Sequence, residues 1–370
     1  MRYGPNRYSF AHPEATRAIY GHGTALTKST WYDTWGDPNR NSWSLFSDRD
    51  ITRHGVNRRQ YQSTYSMSTL LHYEAHVDEC ADIFRQRLLE LSAAPGADGS
   101  AVVDMGNWFQ YYAFDVIGMI TYSKRLGFLD RGQDVGEIIK NLENHLGYAT
   151  LVGVYPFLHQ YLAPLRSRLN RKKGSGRAYI LGFTQERLAE HQSKPKAVIT
   201  ENSGDGGSSV DDFLSKFLSK HTDNPAAFTQ YHVLAGCVSN MVAGSDTTAI
   251  SLSSILYYLL RNPHALKALR DEVDTFYREQ DRAAGRVTFT ESQQMPYLQA
   301  VLKEALRMHP ATGLPLERVV PEGGATICDR FFPEGVGCTR ARHPLSANRL
   351  KANECNPLLG TRLSWVSTAG

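Results

Sequence analysis

A chain of 370 residues with 41% hydrophobic and 11% aromatic side chains can bury a large core, and its mean hydropathy of −0.40 is that of an ordinary soluble globular protein. The net charge of +4 resides wholly at one end, where from Cys338 onward Arg340, Arg342, Arg349, Lys351 and Arg362 stand against the single acid Glu354. A neutral body without an aromatic-interleaved basic stripe excludes a nucleic-acid reader.

The chain opens Met1-Arg2-Tyr3-Gly4-Pro5, with neither the apolar run of a signal peptide nor a spanning stretch, which predicts a soluble or peripherally attached chain with no membrane span. Residues 1–50 are broken by Gly and Pro and rich in Tyr and Trp. They read as short strands and turns around one helix near Pro13–Tyr20. From Asp50 to Leu91 the chain is mostly helical, with Leu70, Leu71, Val77, Ile83, Phe84 and Leu88 at near-helical spacing. A loop at 93–99 precedes a strongly apolar helix over 104–123. Further helices fall within 132–165, where 148–164 forms an aromatic, Pro-interrupted patch, and over 174–190. The Gly- and Ser-rich stretch 193–209 reads as a flexible surface loop inside one domain.

The longest periodic segment runs from Thr229 to Leu260 and stops before Asn262-Pro263. Asp246, with Ser239, Asn240, Ser245, Thr247 and Thr248 in its middle, argues against a membrane span and for a long helix through a helical domain. Helices over 263–280 and 292–308 follow, the second stopped by His309-Pro310. Pro- and Gly-punctuated short strands then run to about Gly335. The fold class expected is mainly α with a small β portion.

Within the long helix lies Ala243-Gly244-Ser245-Asp246-Thr247-Thr248. Glycine in a helix interior costs about 1 kcal/mol relative to alanine, and close approach of a flat cofactor to the backbone at Gly244 is one reason to accept it. A threonine hydroxyl can compete for a ladder carbonyl and open a local bulge with room for dioxygen or water. An adjacent carboxylate and hydroxyl can relay protons. The alternative is a packing kink with a solvated Asp246. Glu304 and Arg307 share a helix face at i, i+3, and alone they read as an exposed ion pair worth roughly a few tenths of a kcal/mol. His72 and His76, at i, i+4, lack a third metal ligand. Gly21-His22-Gly23 lacks the spacing and lysine of a phosphate loop, and no GxSxG elbow occurs.

The combination is more specific than its parts. A long helix carrying AGSDTT, then Glu304-Ala305-Leu306-Arg307-Met308-His309-Pro310, then a Pro-rich strand segment, resembles the cytochrome P-450 superfamily. The phrases RYGPNRYSF, YGHGT, HGVNRRQYQSTYSMSTL, YAFDVIG and GFLDRG resemble fungal members of the pisatin demethylase type, and the resemblance covers residues 1–336. It implies the cytochrome P-450 fold, haem b as cofactor, NADPH electrons through a separate cytochrome P-450 reductase, and an intracellular, endoplasmic-reticulum location. The implied reaction is hydroxylation or O-demethylation of a small lipophilic, aromatic secondary metabolite. Asp246 and Thr247 are then the proton-relay acid and alcohol, and Glu304 and Arg307 the pair that braces the haem-binding loop. His54, Arg58 and Arg318 match haem-propionate contacts, although His54 and Arg58, flanked by Arg53 and Arg59, also read as a solvated basic face. Substrate is expected near Asn240, Ala243, Thr312, Gly313 and Leu314, with the 31–46 and 148–164 regions, although aromatic stripes are more often core.

The family closes with an aromatic-Pro-Glu-Arg stretch and a Phe-x-x-Gly-x-Arg-x-Cys-x-Gly loop whose thiolate ligates iron, and neither is found in the 370 residues. Five cysteines, odd in number and widely spaced, make neither a disulfide framework nor a CxxC zinc site and point to a reducing compartment. Cys338 and Cys355 lack the required flanks, and Cys237 lies in the long helix, on the wrong side for a proximal ligand, so no metal ligand is identified. The expectation is a P-450 domain over 1–336, incomplete at both termini and lacking the family's anchor and hinge. An aberrant, disordered basic tail over 337–370, from a frameshift, retained intron or gene-model error, would follow. The alternative function is a catalytically inactive remnant without thiolate-ligated haem.

Overall fold

Helix ends fall where the sequence supplies caps. In the computed structural model, which describes residues 1–36, 43–93, 102–169, 176–193, 212–279 and 286–340, helix α1 (Pro13–Tyr20) starts on a proline whose missing N–H costs nothing there. Helix α2 (Ile51–Gln62) starts after Asp50, whose carboxylate accepts the Arg53 N–H at 2.9 Å. Short α3 (Met67–Leu71) and long α4 (Glu74–Ala93) meet at a turn, so His72 and His76 share no continuous helix. Helix α5 (Met105–Tyr122) opens on Asp104, which accepts the Asn107 N–H, and closes on Ser123 in the left-handed region. There follow α6 (Phe128–Arg131), α7 (Ile138–Val152), α8 (His159–Leu169), α9 (Gly176–Ser193) and α10 (Phe213–Asp223). Helix α11 (Gln230–Arg261) has 32 residues and is about 48 Å long. After it come α12 (Pro263–Glu279), α13 (Phe289–Ser292) and α14 (Pro296–Met308). Strands are few and short: β1 (Arg2–Gly4), β2 (Arg7–Phe10), β3 (Thr27–Lys28), β4 (Arg318–Val319), β5 (Ala325–Ile327), β6 (Arg330–Phe332) and β7 (Gly337–Arg340). The mainly helical class expected from sequence is the one observed.

The chain divides into two compact units, Thr27–Ala249 and Met1–Leu26 with the residues from Ile250 onward. The larger unit is held by an aromatic core in which Phe114, Phe128, Phe213, Phe217 and Phe228 are all at most 2% exposed. Burying one such ring stabilises by roughly 1.5–3 kcal/mol. Phe114 and Phe128 stack with centroids 4.7 Å apart. Between them in sequence, fully buried Asp115 accepts backbone N–H bonds from Gly127, Phe128 and Leu129 at 2.8, 3.3 and 2.9 Å. Burial pushes this carboxyl up while those three bonds pull it back. The phrases YAFDVIG and GFLDRG are therefore two halves of one cap.

In the smaller unit, β2 pairs antiparallel with β1 and parallel with β7, and β4 pairs antiparallel with the other edge of β7. Strands β5 and β6 form a separate hairpin. Ala15, Ile19, Val320, Ile327, Phe332 and Cys338 make its core. Helices α12 and α14 pack through Ala265 and Val301. The Glu272 carboxylate accepts the Tyr297 and Leu298 N–H groups, both at 2.8 Å, capping the α14 N-terminus that Met295 leaves uncapped.

The chain just beyond the expected boundary at residue 336 is part of the sheet. Gly337–Arg340 is an interior strand of the sheet, with Tyr8 and Arg318 both in register with Cys338. Its first three residues are buried, and Gly337 admits the buried Glu317 side chain, whose Oε1 would lie 2.5 Å from an added Cβ. The rest of the expected tail, and the expected loop beyond Ser193, lie outside the described residues.

Candidate functional site

Helices α5 and α11 run antiparallel in the larger unit, and the α5 stripe Gln110, Ile117, Thr121 meets Asp246, Gly244 and Asn240 in turn. Gln110 Nε2 donates to Asp246 Oδ1 at 2.5 Å. Burial drives the Asp246 carboxyl above the ordinary range, the Gln110 bond opposes that, and Glu143 adds to it. Thr247, exposed one residue on, donates from Oγ1 to the Ala243 carbonyl at 2.7 Å. Buried Ser245 does the same to Met241 at 3.0 Å. These bonds add to the helix without opening it: α11 is continuous, and the expected bulge is replaced by back-bonded hydroxyls.

Two of the candidate residues on α11 sit against neighbouring side chains. A Cβ at Gly244 would lie 2.8 Å from Ile117 Cδ1 and 3.0 Å from Cγ1, so the glycine admits the close approach of an α5 side chain. Asn240 is 8% exposed, accepts from Tyr65 Oη at 2.5 Å and faces Thr121 Oγ1 at 3.5 Å. It is a satisfied interior amide, whereas Ala243, Ser239, Val242 and Thr247 form the exposed side of the helix.

On α2, Asn57 and Tyr61 face inward. Asn57 Oδ1 lies 3.1 Å from His232 Nε2 and Tyr61 donates to the His232 carbonyl at 2.6 Å, tying α2 to the start of α11. His54 and Arg58 lie on the adjoining face, half-buried and exposed respectively. Arg53 is no loose member of a basic face: it grips the buried Asp48 carboxylate with two bonds of 2.9 and 2.7 Å. The aromatic stretch from Trp31 is mostly interior, with Trp31 and Tyr32 5% and 1% exposed. The 148–164 region instead turns Leu151, Val154, Tyr155, Phe157 and Tyr161 outward.

In the smaller unit, Arg307 clasps Glu304 with bonds of 2.7 and 2.6 Å. The Arg318 guanidinium lies over the Tyr20 ring, 5.2 Å from its centroid, and donates to the Leu316 and Glu317 carbonyls. Thr312, Gly313 and Leu314 occupy the segment between α14 and β4, with Gly313 exposed.

A haem thiolate needs an accessible, ionisable cysteine, and three of the described cysteines are too buried for that role. Cys237 and Cys80 are fully buried, in the two cores of the larger unit. Cys338 is fully buried in β7, and burial and Glu317 hold its thiol up at about 11. Burial likewise raises Cys328, in the turn between β5 and β6. Cys355 lies outside the described residues. Among the described residues, no cluster of three His, Cys, Asp or Glu could hold a metal ion, and no helix is long and apolar enough to cross a membrane.

Sequence comparison gives the wider setting. The sequence profile described as Cytochrome P450 matches residues 6–341. The chain is 37% identical over 339 residues to a pisatin demethylase of Fusarium vanettenii, a match covering 91% of this chain and 63% of that protein. It is 35% identical over 346 residues to a cytochrome P450 monooxygenase of Aspergillus terreus, covering 91% of this chain and 67% of that one.

Proposed function

The chain belongs to the cytochrome P450 family, and on that premise we propose that it serves a monooxygenase reaction, hydroxylation or O-demethylation of a small lipophilic aromatic molecule. The observation that carries this reading is the pairing, on one continuous helix, of a half-buried carboxyl with an exposed hydroxyl one residue on. Because burial raises the Asp246 pKa, its side chain keeps a proton to higher pH than a solvated aspartate. Gln110 fixes Oδ1, and Thr247 Oγ1, its proton lent to the Ala243 carbonyl, offers lone pairs to an incoming donor. A haem, when bound, supplies the oxidising chemistry of this family. In this reading His54 and Arg58 are propionate contacts, as is Arg318 by resemblance, NADPH electrons arrive through a separate reductase, and the exposed side of α11 at Ala243 meets the substrate. The demethylase name of the Fusarium relative supports the O-demethylation limb.

A second reading is favoured by the cysteines. Cys80, Cys237 and Cys338 are fully buried, and in this reading the chain is a catalytically inactive remnant without thiolate-ligated haem. The reduced, carbon-monoxide difference spectrum of the purified protein, measured with its haem content, separates the two. The red-shifted Soret band that marks a thiolate ligand supports the monooxygenase. Absence of haem, or haem without that band, sinks it.

A further inference from the structure

Away from α11's exposed side, the larger unit carries a polar cleft of about 250 Å³. One wall is the segment after α2, with Ser63, Thr64 and Thr69; the other is α10, with Ser215, Lys216, Ser219 and Lys220. On α10 the serines and the lysines each recur at i, i+4, so one helix face presents two hydroxyls and two ammonium groups. The lining therefore holds five hydroxyls and two cations with no carboxylate.

The groups are positioned before any ligand arrives. Lys220 Nζ donates to the Gln60 carbonyl at 2.5 Å and to Ser63 Oγ at 2.8 Å, which spends two of its three protons across the cleft. Lys216 Nζ lies over the Tyr73 ring, 5.0 Å from its centroid. Thr69 Oγ1 donates to the Ser63 carbonyl at 3.3 Å, bracing the opposite wall. Thr64 is 3% exposed, and its Oγ1 has no hydrogen-bond partner among the described residues. A buried hydroxyl left unbonded is costly, and a small shift of the cleft wall that admitted a ligand oxygen would remove that cost.

We propose that this cleft binds a phosphate group, recognised by Lys216, Lys220 and the surrounding hydroxyls. Phosphate suits the lining because it offers several acceptor oxygens to converging donors and its charge is met by two ammonium groups. The group comes either from a soluble phosphorylated molecule or from a phospholipid headgroup.

The test uses the full chain and two variants: Lys216→Gln, which removes one charge, and Thr64→Val, which keeps shape and loses only the hydroxyl. Inorganic phosphate is titrated against sodium chloride of matched ionic strength while the melting temperature is followed. Phosphate is expected to raise it beyond chloride, with affinity falling roughly tenfold in Lys216→Gln and about fivefold in Thr64→Val. A second arm measures cosedimentation with phosphatidylcholine vesicles with and without phosphatidic acid. Vesicle binding that needs phosphatidic acid, is lost in both variants and is competed by inorganic phosphate assigns the group to a lipid. Phosphate binding without such vesicle binding assigns it to a soluble ligand. No phosphate-specific shift, or binding that both variants retain in full, overturns the proposal.

Discussion

Replacing Gly244 by alanine distinguishes a glycine kept for helix packing from one kept for a cofactor. In an open helix interior the change would stabilise by about 1 kcal/mol through propensity. Here the new Cβ would stand 2.8 Å from Ile117 Cδ1 and 3.0 Å from Cγ1. Rotation about χ2 moves Cδ1 away but leaves Cγ1 in place, and χ1 of a β-branched residue in a helix has one strongly preferred setting. The backbones of α5 and α11 must therefore separate, at an overpacking cost of about 1–3 kcal/mol. The net expectation is a loss of about 1 kcal/mol where propensity alone gives a gain. The control is Ile117→Ala, which by itself costs about 2–5 kcal/mol but leaves only Ile117 Cβ, at 3.6 Å, facing the site. In that background Gly244→Ala should stabilise by about 1 kcal/mol, a coupling of roughly 2 kcal/mol between the two positions. Urea unfolding of the four proteins without haem, followed by circular dichroism, reads all four corners. If Gly244→Ala stabilises equally in both backgrounds and instead impairs haem uptake, the packing argument fails.

Three other outcomes follow from the same geometry. Asp246→Asn removes a carboxyl whose pKa lies above its ordinary 3.8 because of burial. The stability linked to its proton is fully present below pH 3.8 and lost as pH rises through the raised value. The variant should therefore gain on the natural protein between acid and neutral pH, and urea midpoints that keep a constant offset across that range would contradict this. Tyr20→Phe deletes the hydroxyl that donates to the Leu316 carbonyl at 2.9 Å, receives the Arg340 N–H at 3.2 Å and lies 3.2 Å from Thr339 Oγ1. It should cost about 1–3 kcal/mol while keeping the ring under Arg318, and an unchanged unfolding midpoint counts against Tyr20 as the tie between α1 and β7. Cys338→Ser puts a hydroxyl into a fully buried apolar site and should destabilise by about 1–3 kcal/mol without altering any haem spectrum. Loss of a thiolate Soret band in that variant alone would make Cys338 the ligand.

Much of the architecture was legible because it rests on local chemistry. The span of α1 follows from proline at its first turn and glycine after its last. The start of α5 follows from the Asp104 cap, and the end of α11 from Asn262-Pro263. β7 was not legible, because four residues are too few for a period to register and the basic sequence after it dominates the composition. What makes it a strand is long-range: pairing with β2, more than 300 residues earlier in the sequence, and the cover of Glu317 over Gly337. The break at His72–Tyr73 was hidden for a related reason, since the helical spacing of apolar residues carries across a turn that only the backbone reveals.

The site was legible as a set of residues and not as a set of contacts. Asp246 and Thr247 stand out because acid and alcohol are rare in a long apolar helix, but periodicity cannot say whether a polar residue on such a helix faces a ligand or a neighbour. Asn240 and Asp246 are the two cases: both look like pocket polars, and both are held by other helices, through Tyr65 and Gln110. A signal for Gln110 did exist. It recurs with Ile117 and Thr121 at i, i+7 and i+11, one stripe of α5, and two polar residues on that stripe imply polar partners opposite. The Glu304–Arg307 pair shows the converse. Its bonds are short, yet Arg307 is 39% and Glu304 18% exposed, so the pair contributes about 0–1 kcal/mol on its own.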